Sequence, residues 1–226
     1  MRFRLLVIAF AFSLAASANA AHLTHIVLVT DGKAQAEQAG FYQAVALGLY
    51  KQRGLEVTIR AGEPDLTKRL AGGDFALAPD CAAVFELVKA GVRARAVMAV
   101  SQKGPGDCYG DLVIAPQSWI DKKQAAVQAF YDASRDGWHF YLANDPAPSN
   151  ALIARDNPEM NAALLAQGRA RMKTLVDVGD TIAFGIGAMT AQRWRLFYER
   201  AKYPKDLPYR DAFELIFMRN TPQYFQ

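Results

Sequence analysis

Histidine and cysteine are scarce in this chain of 226 residues, which contains three histidines and two cysteines. Zinc sites typically combine several Cys and His side chains at short fixed spacings, and neither C-x-x-C nor H-E-x-x-H occurs. The G-x-S-x-G motif of many hydrolases and the glycine-lysine phosphate-binding loop are also missing. The sequence therefore predicts no metal, no cofactor and no catalytic residue.

A strong excess of charge of one sign is also lacking. Lysine and arginine number 26 against 22 aspartates and glutamates, for a net charge of +4. Two of the basic residues, Arg2 and Arg4, belong to an N-terminal segment that we expect to be removed. The others are scattered along the chain, whereas nucleic-acid-binding proteins cluster them on one face. We therefore expect no nucleic-acid partner.

Long hydrophobic runs are confined to the N-terminus. Arg2 and Arg4 precede an apolar run from Leu5 to Ala16, and the small residues Ala-Asn-Ala follow at 18–20. This three-part pattern is typical of a secretory signal peptide. We predict cleavage after Ala20, export to the periplasm and no stable membrane insertion afterwards. The alternatives are an uncleaved membrane anchor and an ordinary buried helix.

The two cysteines, Cys81 and Cys108, can form only one intramolecular bridge. An oxidising compartment would permit that bridge, but sequence spacing does not show that the two residues meet. The interpretation favoured at this point is two separate, partly buried thiols.

Strand and helix patterns alternate through the first half of the chain, and helical patterns dominate the second half. β-rich or alternating runs predict strands at His25–Thr30, Leu55–Arg60, Asp74–Ala78, Ala94–Ser101 and Asp111–Ala115. Helical spacing predicts helices at Gln38–Arg53, Ala82–Ala90, Lys122–Leu142, Ser149–Arg155, Pro158–Leu175 and Thr190–Lys202, with a short helix capped by Asp65. The predicted class is α/β, with a mostly parallel sheet followed by a helical C-terminal region.

The stretch from Thr30 to Ala44 carries the most functional information. It begins where the first strand ends and enters the first helix, and ligands of open α/β sheets bind beyond the carboxyl ends of strands. The alternative is an ordinary polar turn with the tyrosine in the core. The predicted ligand-binding residues are Asp31, Gln35, Glu37 and Tyr42, with Pro79 and Asp80 at the end of the third strand and Tyr109 before the fifth.

Several separate motifs carry a family resemblance. They are TDGKAQAEQAGFYQA at 30–44, GWHFYLANDPAPSNALIARDNPEM at 137–160, VDVGD at 176–180 and GIGAMTAQRW at 185–194. Together they resemble the solute-binding proteins of ABC importers, in the family that includes receptors for thiamine pyrimidine precursors and aliphatic sulfonates. The resemblance implies a type II periplasmic-binding-protein fold, a small-molecule solute, and permease and ATPase partners.

The chain departs from that family pattern in two places. Gly32 stands where the family usually has a tryptophan that stacks on a flat ligand. We expect a second lobe, which the family places before the strand at Asp111–Ala115, to be missing; the alternative is a compact relative whose motifs are misaligned at this point. The resulting division is a signal peptide (1–20), the first part of an α/β lobe (21–103), a collapsed hinge turn (104–110), and a returning strand with C-terminal helices of the same lobe (111–226).

Two further functions stay open as alternatives. One is a relative of the pyrimidine-forming enzymes of thiamine synthesis, whose cysteine-rich motif and substrate histidine are not found here. The other is an interaction module or a remnant that no longer takes part in transport. The ligand classes left open are pyrimidines, sulfonates, nitrate-like anions and small aromatic solutes.

Overall fold

A single five-stranded sheet organises residues 22–220, the part of the chain that the computed structural model describes. The predicted signal peptide lies outside these residues. The strands are β1 Thr24–Val29, β2 Leu55–Arg60, β3 Phe75–Asp80, β4 Ala94–Ser101 and β5 Gly110–Pro116. Their order is β2-β1-β3-β5-β4, and β5 runs antiparallel to both of its neighbours. The predicted α/β class is confirmed, and the sheet is mixed because β5 returns against the other four strands.

Burial patterns show which strands are covered on both faces of the sheet. β2, at one edge, alternates buried and exposed positions, with Leu55 fully buried. By contrast, β4 and β5 are buried at nearly every position, because both sets of side chains enter a core. β4 forms the other edge, and its outer side is covered by bridges to Phe213 and Gly187.

Ten helices surround the sheet in the described part of the chain. They are α1 Ala39–Ala46, α2 Leu49–Gln52, α3 Leu66–Ala71, α4 Cys81–Lys89, α5 Gln117–Lys122, α6 Gln124–Ala143, α7 Ala147–Asp156, α8 Ala162–Val176, α9 Asp180–Phe184 and α10 Ala191–Arg200. Short 3₁₀ turns occur at Ala36–Gln38, Pro105–Asp107, Tyr209–Ala212 and Ile216–Asn220. The predicted cap at Asp65 is confirmed, since its carboxylate accepts the Thr67 N–H at 2.9 Å. The helix predicted over 38–53 is broken at Gly48, whose φ of 66° is left-handed.

Two apolar cores lie on opposite faces of the sheet. One joins α1 and α6, where Phe41 packs edge-on against Trp138 with ring centroids 5.9 Å apart. These helices approach closely because Gly40 faces the Trp138 ring, and a Cβ at Gly40 would lie 2.1 Å from it. The second core joins α4 and α10 through Phe85 and Trp194. Each face of the sheet is therefore covered by helices from distant parts of the chain.

A disulfide joins Cys81 to Cys108, with a Cα–Cα distance of 6.1 Å. The interpretation of two separate thiols is therefore wrong. Cys81 follows the end of β3, and Cys108 precedes β5, and the antiparallel register pairs Asp80 with Gly110. The strand pairing brings the cysteines together, and this contact could not be read from their separation in sequence.

The connection between β4 and β5 spans residues 102–109 and is called the β4–β5 turn below. The two strands pair directly, with Ser101 opposite Gly110. The turn contains the Pro105–Asp107 3₁₀ segment, in which Gly106 has a φ of 65°. Within residues 22–220, no helix is both long and apolar enough to cross a membrane.

Candidate functional site

One edge of the sheet collects the carboxyl ends of β1 and β3 and the start of β5. β1 ends at Val29 and β3 at Asp80, which is paired with Gly110. Ligands of open α/β sheets bind beyond this edge. The structure therefore places the predicted residues Asp31 and Asp80 on the same edge, at the ends of adjacent strands.

Three carboxylates approach one another here and form what we call the carboxylate notch: Asp31, Glu37 and Asp111. Asp31 lies in the loop after β1, Glu37 in the first 3₁₀ turn, and Asp111 is the second residue of β5. The charges of Glu37 and Asp31 both act on the Asp111 carboxyl. Asp31 and Glu37 are thus two predicted residues that the fold brings together.

Asp111 is the member of the notch that sequence reasoning missed. It is partly buried and has a left-handed φ of 48°. Burial raises its pKa to about 7, and the charges of Glu37 and Asp31 add to that rise while Arg171 opposes it. No hydrogen bond or ion pair engages its carboxylate within residues 22–220. The signal that could have identified Asp111 is its place at the start of a strand that returns to the ligand edge.

The basic counterpart of the notch comes from α8. Gly168 permits close packing on the 3₁₀ turn, because a Cβ there would lie 2.4 Å from the Cβ of Ala36. One helical turn later, Arg171 reaches Glu37 with an Nη1–Oε1 distance of 3.4 Å. Arg171 acts on Glu37 and Asp111, and Arg69 acts on Asp31, so two arginines face three carboxyl groups at the notch.

A phenol lies close to the notch. The Tyr141 hydroxyl is buried and has no hydrogen-bond partner within the described residues. Burial raises the pKa of Tyr141 to about 12, with Arg169 opposing the rise and Glu37 contributing to it. A neutral hydroxyl donor is therefore held near the carboxylate of Glu37.

Gln35 and Tyr42 take local structural roles. The Gln35 side chain is exposed, and its backbone N–H donates to Gln38 Oε1 at 2.9 Å at the start of the 3₁₀ turn. Tyr42 is buried, and its hydroxyl donates to Asp156 Oδ2 of α7 at 3.1 Å. The structure therefore places Tyr42 in the α1–α7 contact, as the alternative reading of this stretch expected.

Pro79 and Asp80 lie at the end of β3. Pro79 is exposed, and Asp80 caps α4 by accepting the Ala83 N–H at 2.9 Å. The cap uses one carboxylate oxygen of Asp80, since Ala83 bonds only to Oδ1. The other oxygen remains available at the ligand edge.

Tyr109 belongs to a separate polar group behind the β4–β5 turn, called the turn cluster: Tyr109, Asp180, Thr190 and Arg193. The Tyr109 ring is fully buried, and its hydroxyl donates to Asp180 Oδ2 and accepts the Thr190 N–H at 2.7 Å. Burial and the Asp180 hydrogen bond raise the pKa of Tyr109. The structure does not bring Tyr109 into the carboxylate notch.

Arg193 connects this cluster to the β4–β5 turn by hydrogen bonds. Its guanidinium donates to the backbone carbonyls of Gln102, of Asp107 at 2.8 Å and of Cys108 at 3.0 Å. It also lies 4.3 Å from the centroid of the Tyr109 ring. The turn is thus held by one arginine as well as by the disulfide at Cys108.

The donor set does not suit a metal ion. Across residues 22–220, no group of three or more His, Cys, Asp or Glu side chains is arranged to hold one. The notch offers hydrogen bonds and charge–charge attraction to a bound solute.

Comparison with known proteins shows a family likeness over part of the chain. Residues 64–148 match the family model described as NMT1/THI5 like. Over this segment, the chain is similar to the NMT1/THI5-like family. The match runs from α3 through the whole of α6 and into the first residues of α7, and it includes β3, β4, the β4–β5 turn and β5. It confirms the resemblance seen in the sequence, and no curated protein matches the chain.

Two solved structures share the fold. A protein of Bordetella bronchiseptica RB50 is 13% identical, with a TM-score of 0.61 over 88% of this chain and 97% of that one. The ligand-binding component of an ABC-type import system from Staphylococcus aureus, solved with zinc bound, is 12% identical. Its TM-score is 0.55 over 88% of this chain and 99% of that one. These likenesses confirm the predicted periplasmic-binding-protein type of fold.

Proposed function

We propose that this protein is the exported solute-binding component of an ABC importer, working with a permease and an ATPase and without a catalytic step. The NMT1/THI5-like match and the likeness to an ABC ligand-binding component support this role. The observation that carries the proposal is the carboxylate notch, which leaves the Asp111 carboxyl unpaired at the ligand edge of the sheet.

The charge of the notch selects among the ligand classes. Asp111, with a pKa of about 7, is partly protonated at neutral pH, so the three carboxyl groups leave a small negative excess over Arg171 and Arg69. That excess favours solutes with N–H donors or a positive charge over sulfonates and nitrate-like anions. An aminopyrimidine of the thiamine-precursor type has an exocyclic amine and a protonatable ring nitrogen. We therefore favour a donor-rich pyrimidine or a related cationic solute over an anionic one.

The disulfide supports the proposed compartment. Such bonds persist in oxidising environments such as the bacterial periplasm and are rare in the cytosol. The bond between Cys81 and Cys108 is consistent with export by the predicted signal peptide, followed by cleavage after Ala20.

We also propose that the chain works as a single lobe. The described residues form one sheet, and the eight residues of the β4–β5 turn connect strands that lie side by side. Two-lobed receptors bury most of the ligand surface by closing around it. A notch on one lobe leaves more of the solute exposed, so we expect micromolar or weaker binding unless a second surface completes the site.

Calorimetric titration of the full chain, purified from the periplasm, tests the function. We expect an aminopyrimidine of the thiamine-precursor type to bind and an aliphatic sulfonate not to bind. Asp111→Asn should weaken aminopyrimidine binding by about tenfold, because a charge-assisted hydrogen bond becomes a neutral one. Asp206→Asn, at an exposed position distant in sequence, is the matched control. Tighter binding of the sulfonate, or equal affinities for both variants, would overturn the proposal.

A further inference from the structure

A second cleft lies on the outer side of the helical layer, where the end of α6, the start of α7 and one face of α8 meet. Its volume is about 430 Å³, within the range of small-molecule sites. From α8 it is lined by residues that share one helical face: Leu165, Ala166, Arg169, Ala170 and Lys173. The opposite wall is formed by Leu142, Ala143, Pro146 and Asn150.

The cleft is separate from the carboxylate notch although α8 serves both. Arg169 and Lys173 are four residues apart and therefore project from the same side of the helix. Arg171 lies between them in sequence, projects from the opposite side and contacts Glu37. The two sites therefore use different faces of α8.

Cationic side chains in this cleft form no ion pair among the described residues. Lys173 is exposed and takes part in no ion pair within residues 22–220. Arg169 donates through Nε and Nη2 to backbone carbonyls at the end of α6, including that of Tyr141 at 2.8 Å and that of Asn144 at 2.7 Å. Those bonds hold the guanidinium in place and leave Nη1 without a described partner. Two acids lie near these cations in sequence or along the cleft, Asp177 at the end of α8 and Asp145 before α7. Asp145 Oδ1 accepts the Ala147 N–H at 2.9 Å.

Two other clefts differ from this one because their arginines form ion pairs. The cleft beside the β4–β5 turn contains Arg200, which pairs with Asp107 at 2.9 Å. The cleft at the far edge of the sheet contains Arg95, which pairs with Asp211 at 2.7 Å. The cationic charge of both is neutralised within the protein, whereas that of the α6–α8 cleft is not.

Asn150 also lines the cleft, and its Oδ1 atom is buried with no hydrogen-bond partner among the described residues. A buried acceptor without a donor is destabilising, so a rotation of the Asn150 amide that brings Oδ1 to a ligand O–H or N–H is favoured. The remaining walls are apolar, with Leu142 and Leu165 buried beside the cleft.

We propose that this cleft binds a small organic anion that combines one carboxylate, a neighbouring hydrogen-bond donor and a short branched apolar body. The carboxylate lies against Lys173 and the free edge of Arg169. The donor meets Asn150 Oδ1, and the apolar body packs on the leucine and alanine side chains of α6 and α8. This site is independent of the solute proposed for the carboxylate notch.

The probe is α-hydroxyisocaproate, which carries all three features. Isocaproate lacks the hydroxyl donor, and α-hydroxyisocaproamide lacks the charge. Calorimetric or ligand-observed NMR titration of the full chain should give the order α-hydroxyisocaproate, then isocaproate, then the amide. We expect the loss of charge to weaken binding about tenfold or more.

Two variants locate the site. Lys173→Glu should weaken binding of α-hydroxyisocaproate by about tenfold or more, and Ala166→Trp should abolish it by filling the cleft. Lys205→Glu makes the same charge change at an exposed lysine outside the cleft and should leave binding unchanged. Thermal melts show whether Ala166→Trp fails to fold. If it does, Lys173→Glu alone tests the site, because the Lys173 side chain is exposed and its replacement should leave the fold intact. Absence of binding by the unaltered chain, or equal binding by Lys173→Glu and Lys205→Glu, would overturn the proposal.

Discussion

The carboxylate notch and the turn cluster come from neighbouring stretches of chain, since Asp111 follows Tyr109 by two residues. They differ in whether their carboxylates have hydrogen-bonding and cationic partners. In the turn cluster, Asp180 accepts from Tyr109 and lies 3.8 Å from an Arg193 nitrogen. In the notch, the Asp111 carboxyl has no described partner and two further carboxylates nearby. The first arrangement stabilises the fold, and the second is destabilising until a proton or a solute neutralises it.

Replacing Arg193 gives the largest expected effect. Arg193→Met removes the donors to three backbone carbonyls of the β4–β5 turn and leaves Asp180 without its cation. Breaking such a partly buried network should cost about 3–5 kcal/mol of unfolding free energy. Urea denaturation monitored by circular dichroism measures it.

Arg171→Met is the matched control for that experiment. Arg171 forms an ion pair with Glu37 at an Nη1–Oε1 distance of 3.4 Å, and its side chain is largely exposed. We expect its removal to cost less than about 1 kcal/mol. Similar losses for the two arginines would remove the contrast between the regions.

The disulfide should contribute almost as much as Arg193. It closes a loop across 27 positions of sequence, for which chain-entropy arguments give about 3–4 kcal/mol. Comparison of the oxidised protein with a Cys81→Ala/Cys108→Ala double variant measures this contribution. A much smaller loss would mean that Arg193 alone suffices to hold the turn.

The notch should respond to pH in the opposite sense from most carboxylates. Asp111 titrates at 3.8 in the unfolded reference and at about 7 in the fold. The unfolded chain therefore loses this proton first, and stability falls as pH rises from about 4 to about 7. Asp111→Asn should remove that part of the pH dependence and stabilise the protein by about 2 kcal/mol above pH 7, roughly half of the full linkage value, because the carboxylate still reaches solvent.

Melting temperatures of both proteins across this pH range give the measurement. The Asp206→Asn control should follow the unaltered protein throughout. Parallel curves for Asp111→Asn and the unaltered protein would show that Asp111 titrates normally and that the notch is well solvated.

Sequence reasoning was most successful where the signal is local. Strand patterns, the Asp65 cap and the family motifs depend on neighbouring residues, and those predictions are confirmed. The disulfide and the place of Asp111 depend on the antiparallel return of β5, which is a long-range property. Tyr42 and Tyr109 were predicted as ligand-binding residues, but a tyrosine suits both a ligand site and an apolar core. Only the packing of the folded chain shows which of these two roles each tyrosine has.

Gly32 offers the smallest effect and the most direct test of the notch as a ligand wall. A Cβ at this position would meet nothing within 4 Å, so a side chain can begin here without a clash, and the related receptors usually carry a tryptophan at this place. A stacked ring contributes about 0.5–1.5 kcal/mol beyond burial, so Gly32→Trp should tighten aminopyrimidine binding by about twofold to twelvefold. Gly32→Leu adds apolar bulk without a flat face and should give less than half of that gain in free energy. If both variants tighten binding equally, burial rather than stacking is responsible. If neither changes the affinity, the loop after β1 does not face the solute, and the ligand wall must be sought elsewhere along the edge.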